Sequence, residues 1–472
     1  MNNLNFLVDV LKDSPVFKTL EKNVKPGRTV CASGLSTINK SNIIYALCRL
    51  KGVTAFCLAS DEKEAQTLCN DLSCMGLRAY VYPVRDFNFL DFQSRSHEYE
   101  HARLKVLLKL INHECDVAIA CVDAAAQLTV PRNVLEQSVI EFEEGRELSL
   151  EKATKALTLL GYERFDAVEG SGQFSLRGGI LDFFMPDSDY PVRCEFWGDE
   201  ITDLSYFDIE TQRRFKKADK ITLSPSTEIV IEDRAALADK IEHKAKLLRS
   251  KNSAKAKEKL FSEAELIRSG AMIANADKFI NQIYDKPESL FDYLDRNTLV
   301  FASEFTAIQE RGKSMDFISN ETLMQGFEDG TLCRGFDRFA LTFNECTEFL
   351  QSHGTIVLEN FVHGSMPLKL SEIISFSTKQ LSAWGGSYKQ LKEDVDGLFT
   401  PESRGVIFAG TERAAKNLCD TFNADGIKAV YSEGADKISK GELLVMQGAL
   451  SAGFEYPSQK FFAITYSQVS YR

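Results

Sequence analysis

The residues best suited to chemistry form the loop Gly34-Leu35-Ser36-Thr37-Ile38-Asn39-Lys40-Ser41, which follows an apolar run and opens a helical pattern. It lies one residue from the G-x-x-x-x-G-K-S loop that cradles nucleotide phosphates. In such a loop the backbone N–H groups wrap the phosphates, the lysine reaches the β and γ oxygens, and the hydroxyl holds magnesium. Gly34, Lys40 and Ser41 occupy their places, but Asn39 stands where a second glycine permits the tight turn. Asn enters the left-handed region more readily than most residues, yet Leu35 to Ile38 are bulkier than a wrapped loop allows. Hydrolysis also needs a metal-holding carboxylate at the end of an apolar strand, followed by Glu. The pair Asp199-Glu200 follows Gly198 in a turn, and Asp116 precedes its strand. These residues predict a vestigial loop in a chain with no catalytic residue and no cofactor of its own.

Other constellations are weaker. His97, Glu98 and His101 sit at near-helical spacing without a third ligand, which reads as a solvated helix start and not a metal site. The 11 cysteines lack paired metal spacing: Cys69 and Cys74 fall on a helical pattern, and Cys31, Cys57 and Cys121 in apolar strand runs. They read as free thiols packed in a reducing cytoplasm. No Ser-His-Asp or Cys-His arrangement has supporting spacing. Lys244 to Lys259 is a basic run on helical sequence. It reads first as a solvated face and second as a contact for nucleic-acid phosphates. The competing reading of the whole chain is an ATP-dependent DNA-remodelling enzyme with a functional phosphate loop and an aromatic hairpin that grips DNA. Tyr80, Tyr82, Phe87, Phe89 and Phe92 lie in a suitable region, but they are mostly Phe beside acidic residues, which favours core packing.

The elements that must position the loop alternate strand and helix. Strands are expected at 28–32, 53–59, 79–82 and 116–121, and helices at 39–50, 61–75 and 98–111, the second capped by Ser60 or Asp61. That order predicts a parallel sheet with helices on both faces. A chain of 472 residues exceeds one core, so several domains are expected. No apolar run reaches the length of a membrane span, and the start of the chain lacks the pattern of a secretory signal.

Residues 172–213 break the pattern. Apolar and polar residues alternate at period two through Gln173 to Arg177, Ile180 to Phe184, Val192 to Phe196 and Ile201 to Phe207, with turns at Gly178-Gly179, Met185 to Tyr190 and Gly198-Asp199. The result is a small antiparallel sheet. Arg177 and Arg193 lie opposite its apolar positions, on one side of the sheet, and Trp197 sits at a strand end. Arginines with an exposed aromatic are the composition of a protein-binding face. Residues 126–213 carry 18 Asp and Glu against 8 Lys and Arg, a local charge of −10 in a chain of −12. Nucleic-acid modules are basic, so this segment points to a protein partner.

The ordered run L-R-G-G-I-L-D-F-F, P-V-R-C-E-F-W-G-D-E-I and F-D-I-E-T-Q-R resembles the second domain of bacterial transcription-repair coupling factors, with a related module in the excision subunit UvrB. GALSAGF at 448–454, followed by Phe461 to Thr465, again resembles the coupling factor. The resemblance implies a first domain that looks like a RecA-like motor half without its ATP site. It implies an inserted domain that binds the excinuclease subunit UvrA through Arg177, Arg193 and Trp197. The family often has Phe at the last position. It also implies that a C-terminal domain of the parent protein covers this face, and that RNA polymerase and DNA are engaged mainly by parent domains absent here. The parent's ATP- and magnesium-dependent translocase would lie beyond Arg472, so this chain is expected to be a non-catalytic, cytoplasmic recruiting region, with no membrane contact. The expected organisation is a degenerate P-loop α/β domain at 1–125, the inserted antiparallel α+β module at 126–213, a helical return of the first domain at 214–385, and a further α/β domain at 386–472.

Overall fold

The computed structural model describes residues 3–87, 97–137, 140–249, 254–270, 273, 276–362, 366–385 and 387–466. Phe89 and Phe92 lie outside the described residues, as does Gly386.

Seven parallel strands form the first sheet, in the spatial order Glu372–Ser375, Val30–Ser33, Thr355–Leu358, Leu299–Ser303, Ala55–Leu58, Val117–Ala120, Ala79–Tyr82. Its inner strands are apolar throughout because both faces are covered. Successive side chains divide between two cores. Val30, Ala32 and Cys57 join Ile43, Leu47, Leu68 and Leu72 of the helices Thr37–Lys51 and Glu62–Cys74. Cys31, Phe56 and Leu58 join Leu104, Leu107, Phe305 and Leu350 on the opposite face, from the helices Glu98–Ile111, Phe305–Asp329 and Phe343–His353. Asp61 caps its helix by accepting from the Glu64 N–H.

The chain leaves this body after Val117–Ala120 and returns at Leu299–Ser303. Between them lies a six-stranded sheet in the order Arg214–Lys217, Glu200–Phe207, Val192–Trp197, Ile180–Phe183, Gln173–Arg177, Glu163–Arg164. Its pairings are antiparallel except the last. The helix Leu150–Leu159 covers its apolar face. The short strands Glu141–Glu143 and Lys220–Thr222 pair with each other where the chain enters and leaves. Two expected limits therefore shift. Residues 214–222 are strands of the module, although the Lys-rich sequence reads as helical. Leu128, Val130 and Leu135 pack in the body's core, so the module begins near 140 and not at 126. The helices expected after 213 start later, at Arg234–Leu247 and Ala254–Arg268.

A buried polar network joins module to body. Glu228, fully buried, takes Arg103 Nε at 2.6 Å and Thr129 Oγ1 at 2.8 Å, and its N–H donates to Glu100 at 2.8 Å. Arg103 also lies over the Tyr82 ring, 4.2 Å from its centre. The aromatic that a DNA hairpin would expose is thus a core residue.

The last sheet runs Lys379–Leu381, Gly453–Tyr456, Phe461–Thr465, Arg404–Phe408, Glu442–Met446, Ala429–Tyr431. The strand Lys379–Leu381, expected to belong to the first domain, pairs antiparallel with Gly453–Tyr456, so the chain passes from one sheet to the other across 376–378. Helices Tyr388–Leu398 and Glu412–Ala424 cover one face. Phe408, Met446, Phe454, Tyr456 and Phe461 on the other face share a continuous core with Phe6, Ile43 and Leu47. No helix among the described residues is long and apolar enough to cross a membrane.

Candidate functional site

Two places gather the residues singled out by the sequence: the loop at the C-terminal end of the Val30–Ser33 strand and the polar face of the inserted sheet.

At the loop, the helix begins at Thr37, so only Gly34 to Ser36 are free to curve. Gly34 has φ +78°, and a Cβ there would stand 2.2 Å from the Phe376 carbonyl oxygen, which restricts the position to glycine. The N–H groups of Gly34 and Leu35 donate to the Asn360 and Glu359 carbonyls, both at 3.1 Å. Two of the loop's donors are thus committed to the residues that follow the strand Thr355–Leu358. Asn39 is fully buried. Its Oδ1 accepts from Ser36 Oγ at 2.7 Å, and its Nδ2 has no partner.

Lys40 is also buried, at 2% exposure. Its Nζ meets Glu304 Oε1 at 2.5 Å, Ser303 Oγ at 2.9 Å and Glu64 Oε1 at 3.4 Å. Burial pushes the Glu64 carboxyl up, but Lys40 and the hydroxyls of Ser303 and Ser60 outweigh it and hold the group below its ordinary value. Glu359 stands behind them. Burial lifts its carboxyl from 4.5 to about 7 against the Phe305 N–H, and the Glu304 charge adds to the rise. A cavity of about 350 Å³ opens beside Lys40, lined also by Thr37, Asp61 and Lys63.

The strand Leu299–Ser303 explains what the sequence search missed. It is apolar, ends beside Lys40, and continues into Glu304. A hydroxyl, Ser303, therefore stands where a metal-holding carboxylate followed by Glu was sought. The signal is the run L-V-F-A-S-E at 299–304, recognisable only when Ser is accepted in the carboxylate's place. Ser41, the residue that would hold magnesium, donates to the Thr37 carbonyl at 3.2 Å and to Asp71 at 3.4 Å. Asp71 accepts from the N–H and Oγ of Ser451 at 2.7 and 2.6 Å. Asn42 Oδ1 accepts from the Tyr456 hydroxyl at 2.7 Å. The helices Thr37–Lys51 and Glu62–Cys74 thus together dock the segment 448–456 of the last sheet, through Asn42 and Asp71.

On the inserted sheet, cross-strand register sorts the faces. Leu176, Leu181, Cys194 and Leu204 form one row, against the helix; Ser175, Asp182, Arg193 and Ser205 form another, on the opposite face. Arg177, Glu195 and Trp197 follow by the two-residue period. Asp182 is buried and takes both arginines: Arg177 Nη2 at 3.0 Å, and Arg193 Nε and Nη2 at 2.8 Å each. Arg193 is further fixed by the Gln212 carbonyl and Oε1 at 3.1 Å, and lies 4.3 Å from the Phe207 ring centre. Its side chain is 12% exposed, that of Arg177 is 51% exposed, and Trp197 is 82% exposed. The sequence places the two arginines on one face, as found; it puts Trp197 only at a strand end, and it does not reveal that Arg193 is committed within the sheet. Glu195 is engaged by Arg214 instead.

His97 marks the start of the Glu98–Ile111 helix. Its Nδ1 lies 2.9 Å from Glu100 and its ring stacks on His101 at 5.8 Å. Among the described residues no His, Cys, Asp and Glu cluster could hold a metal ion.

The model of the UvrB interaction domain family matches residues 140–229, a span that contains the inserted sheet and the paired strands Glu141–Glu143 and Lys220–Thr222 at its base. Along nearly the whole chain the similarity is to transcription-repair-coupling factors. The Bacillus subtilis protein is 26% identical over 96% of this chain and 39% of its own length. That of Staphylococcus epidermidis is 25% identical over 82% and 33%, and that of Staphylococcus aureus strain USA300 is 21% identical over 98% and 40%. The chain spans about two fifths of the length of these relatives. The chain is thus similar along most of its length to transcription-repair-coupling factors, and residues 140–229, set in an α/β body, match the UvrB interaction domain family.

Proposed function

We propose that this chain is the recruiting region of a transcription-repair coupling factor, bringing UvrA to sites of stalled RNA polymerase in the cytoplasm, and that it performs no catalysis itself. The carrying observation is the face of the interaction domain on which Arg177 and Trp197 are exposed beside a buried Asp182. A guanidinium held at its root by Asp182 presents its remaining N–H groups outward at reduced entropic cost. The neighbouring indole supplies apolar area of the kind that anchors protein interfaces. Arg193 supports the pair from within the sheet. In the parent protein a C-terminal domain would cover the same face until UvrA is needed, and polymerase and DNA would be held mainly by other parts of that protein.

The test is calorimetric titration of the chain into UvrA. Binding that falls at least tenfold in both Arg177→Ala and Trp197→Ala, with unchanged melting temperatures, supports the reading. Wild-type affinity in both variants overturns it.

The ATP-dependent reading is disfavoured by the pocket around Lys40. A lysine paired with two carboxylates, two loop N–H groups given to carbonyls, and Ser303 where a metal-holding carboxylate was sought argue against a phosphate cradle and a magnesium ligand set. Titration with Mg-ATP is expected to give no heat beyond dilution.

A further inference from the structure

We infer that the tip of the helical pair Arg234–Leu247 and Ala254–Arg268 is a docking surface for the phosphate backbone of duplex nucleic acid, independent of the UvrA face. The two helices run antiparallel around Leu237, Ile241, Leu260 and Ala264, and Arg268 at the end of the second pairs with Asp239 and Glu242 near the start of the first. The end of the first helix and the start of the second therefore lie together. Lys244, Lys246, Arg249, Lys255 and Lys257 collect there. The loop 330–335 brings a sixth cation: Gly330 packs on the Lys255 stem and Gly335 on that of Lys244, so Arg334 stands beside them.

Some surface cations of this acidic chain are answered by carboxylates, as Lys155 by Glu151 and Lys416 by Glu412, and others, such as Lys18 and Lys389, stand singly and exposed; what sets the tip apart is that several gather in one place. At the tip, Lys246, Arg249, Lys255, Lys257 and Arg334 have no ion-pair partner among the described residues. Unneutralised like charges repel one another, so their concentration here costs stability unless an external anion answers them. The chemistry of the patch selects the anion. It is mainly lysine, a flexible point charge suited to a diffuse polyanion, and it lacks the exposed aromatic that anchors a protein partner. The UvrA face has the opposite composition.

The experiment is fluorescence anisotropy of a labelled duplex of about 20 base pairs with the full chain, across about 50 to 200 mM salt. The tip variant replaces Lys246, Arg249, Lys255 and Lys257 by Glu. A charge-matched variant replaces the exposed Lys18, Lys22, Lys389 and Lys428 by Glu, and melting curves confirm that both fold. The expected result is salt-sensitive wild-type binding, whose log–log salt slope drops by about three to four in the tip variant. At the lowest salt the tip variant also binds at least tenfold more weakly, while the matched variant stays within about threefold. No duplex binding by the wild type, or equal losses in the two variants, overturns the assignment. Displacement of the duplex by poly-glutamate at equal charge would reassign the tip to an acidic polypeptide.

Discussion

The phosphate-loop pocket and the recruiting face are built from the same parts: a buried carboxylate and the cations that answer it. In the pocket Lys40 is held between Glu64 and Glu304 and is almost wholly buried. On the sheet Asp182 is as deeply buried, but it takes two guanidiniums, and the outer one keeps half its surface free. A cation consumed by its own fold is a structural member. A cation held at one end and open at the other remains available to a partner. Accessibility, and not the presence of a charged pair, separates the two regions.

The largest effect that could break this comparison is at Lys40. Lys40→Met leaves Glu64 and Glu304 facing each other unpaired. Loss of one partner of a buried pair costs about 3 kcal/mol or more, so the denaturant midpoint should fall steeply while the ATP titration stays blank in both proteins. A variant as stable as the wild type would show that the pocket is not a structural lock.

Arg193 comes next, because it straddles the two categories. Arg193→Ala strips Asp182 of its bidentate partner and opens the Phe207 ring. We expect about 2 kcal/mol of lost stability together with weaker UvrA binding. Unchanged unfolding with lost affinity would instead move Arg193 to the outer, recognising class.

Arg177→Ala and Trp197→Ala should each cost about 2 kcal/mol of binding, roughly thirtyfold in affinity. Their melting temperatures should stay near that of the wild type, since the side chains removed are the exposed ones. Calorimetry against UvrA, alongside thermal melts, reads both quantities.

The smallest effect is a pH slope. The folded value of the Glu359 carboxyl lies above its ordinary 4.5, at about 7, so the native state binds the extra proton. That contribution is complete below about 4.5 and is lost as the pH rises toward 7. Glu359→Gln imitates the protonated form. It should remove this part of the slope, leaving the variant relatively more stable at pH 8 than at pH 5. Parallel stability–pH curves for the two proteins would disprove the assignment.

Much of this was legible beforehand. The parallel strands and their helices follow from periodicity, and the strand at 79–82 and the helix at 98–111 fall where the pattern puts them. The antiparallel rows that align Arg177 and Arg193 follow from a two-residue period. Composition misled at 214–222, where lysines read as a solvated helix although these residues are edge and closing strands. Their charges are exposed in either form, so hydrophobic patterning carries little signal there. The strand at 379–381 was hidden because its partner, Gly453–Tyr456, lies more than 70 residues away.

The sequence by itself determined the order of elements, the loss of the loop glycine at Asn39 and the face on which the arginines stand. These are local properties, set by residue type and by fixed backbone periods. Only the tertiary structure decided that Ser303 and Glu304 end a strand beside Lys40, that Lys40 answers Glu64 and Glu304, that Ser41 faces the last sheet through Asp71, and that Arg193 is mostly buried while Arg177 stays half exposed. Each of these depends on which distant strand end or side chain comes within hydrogen-bonding reach, and pairing between residues far apart in sequence leaves no periodic trace along the chain.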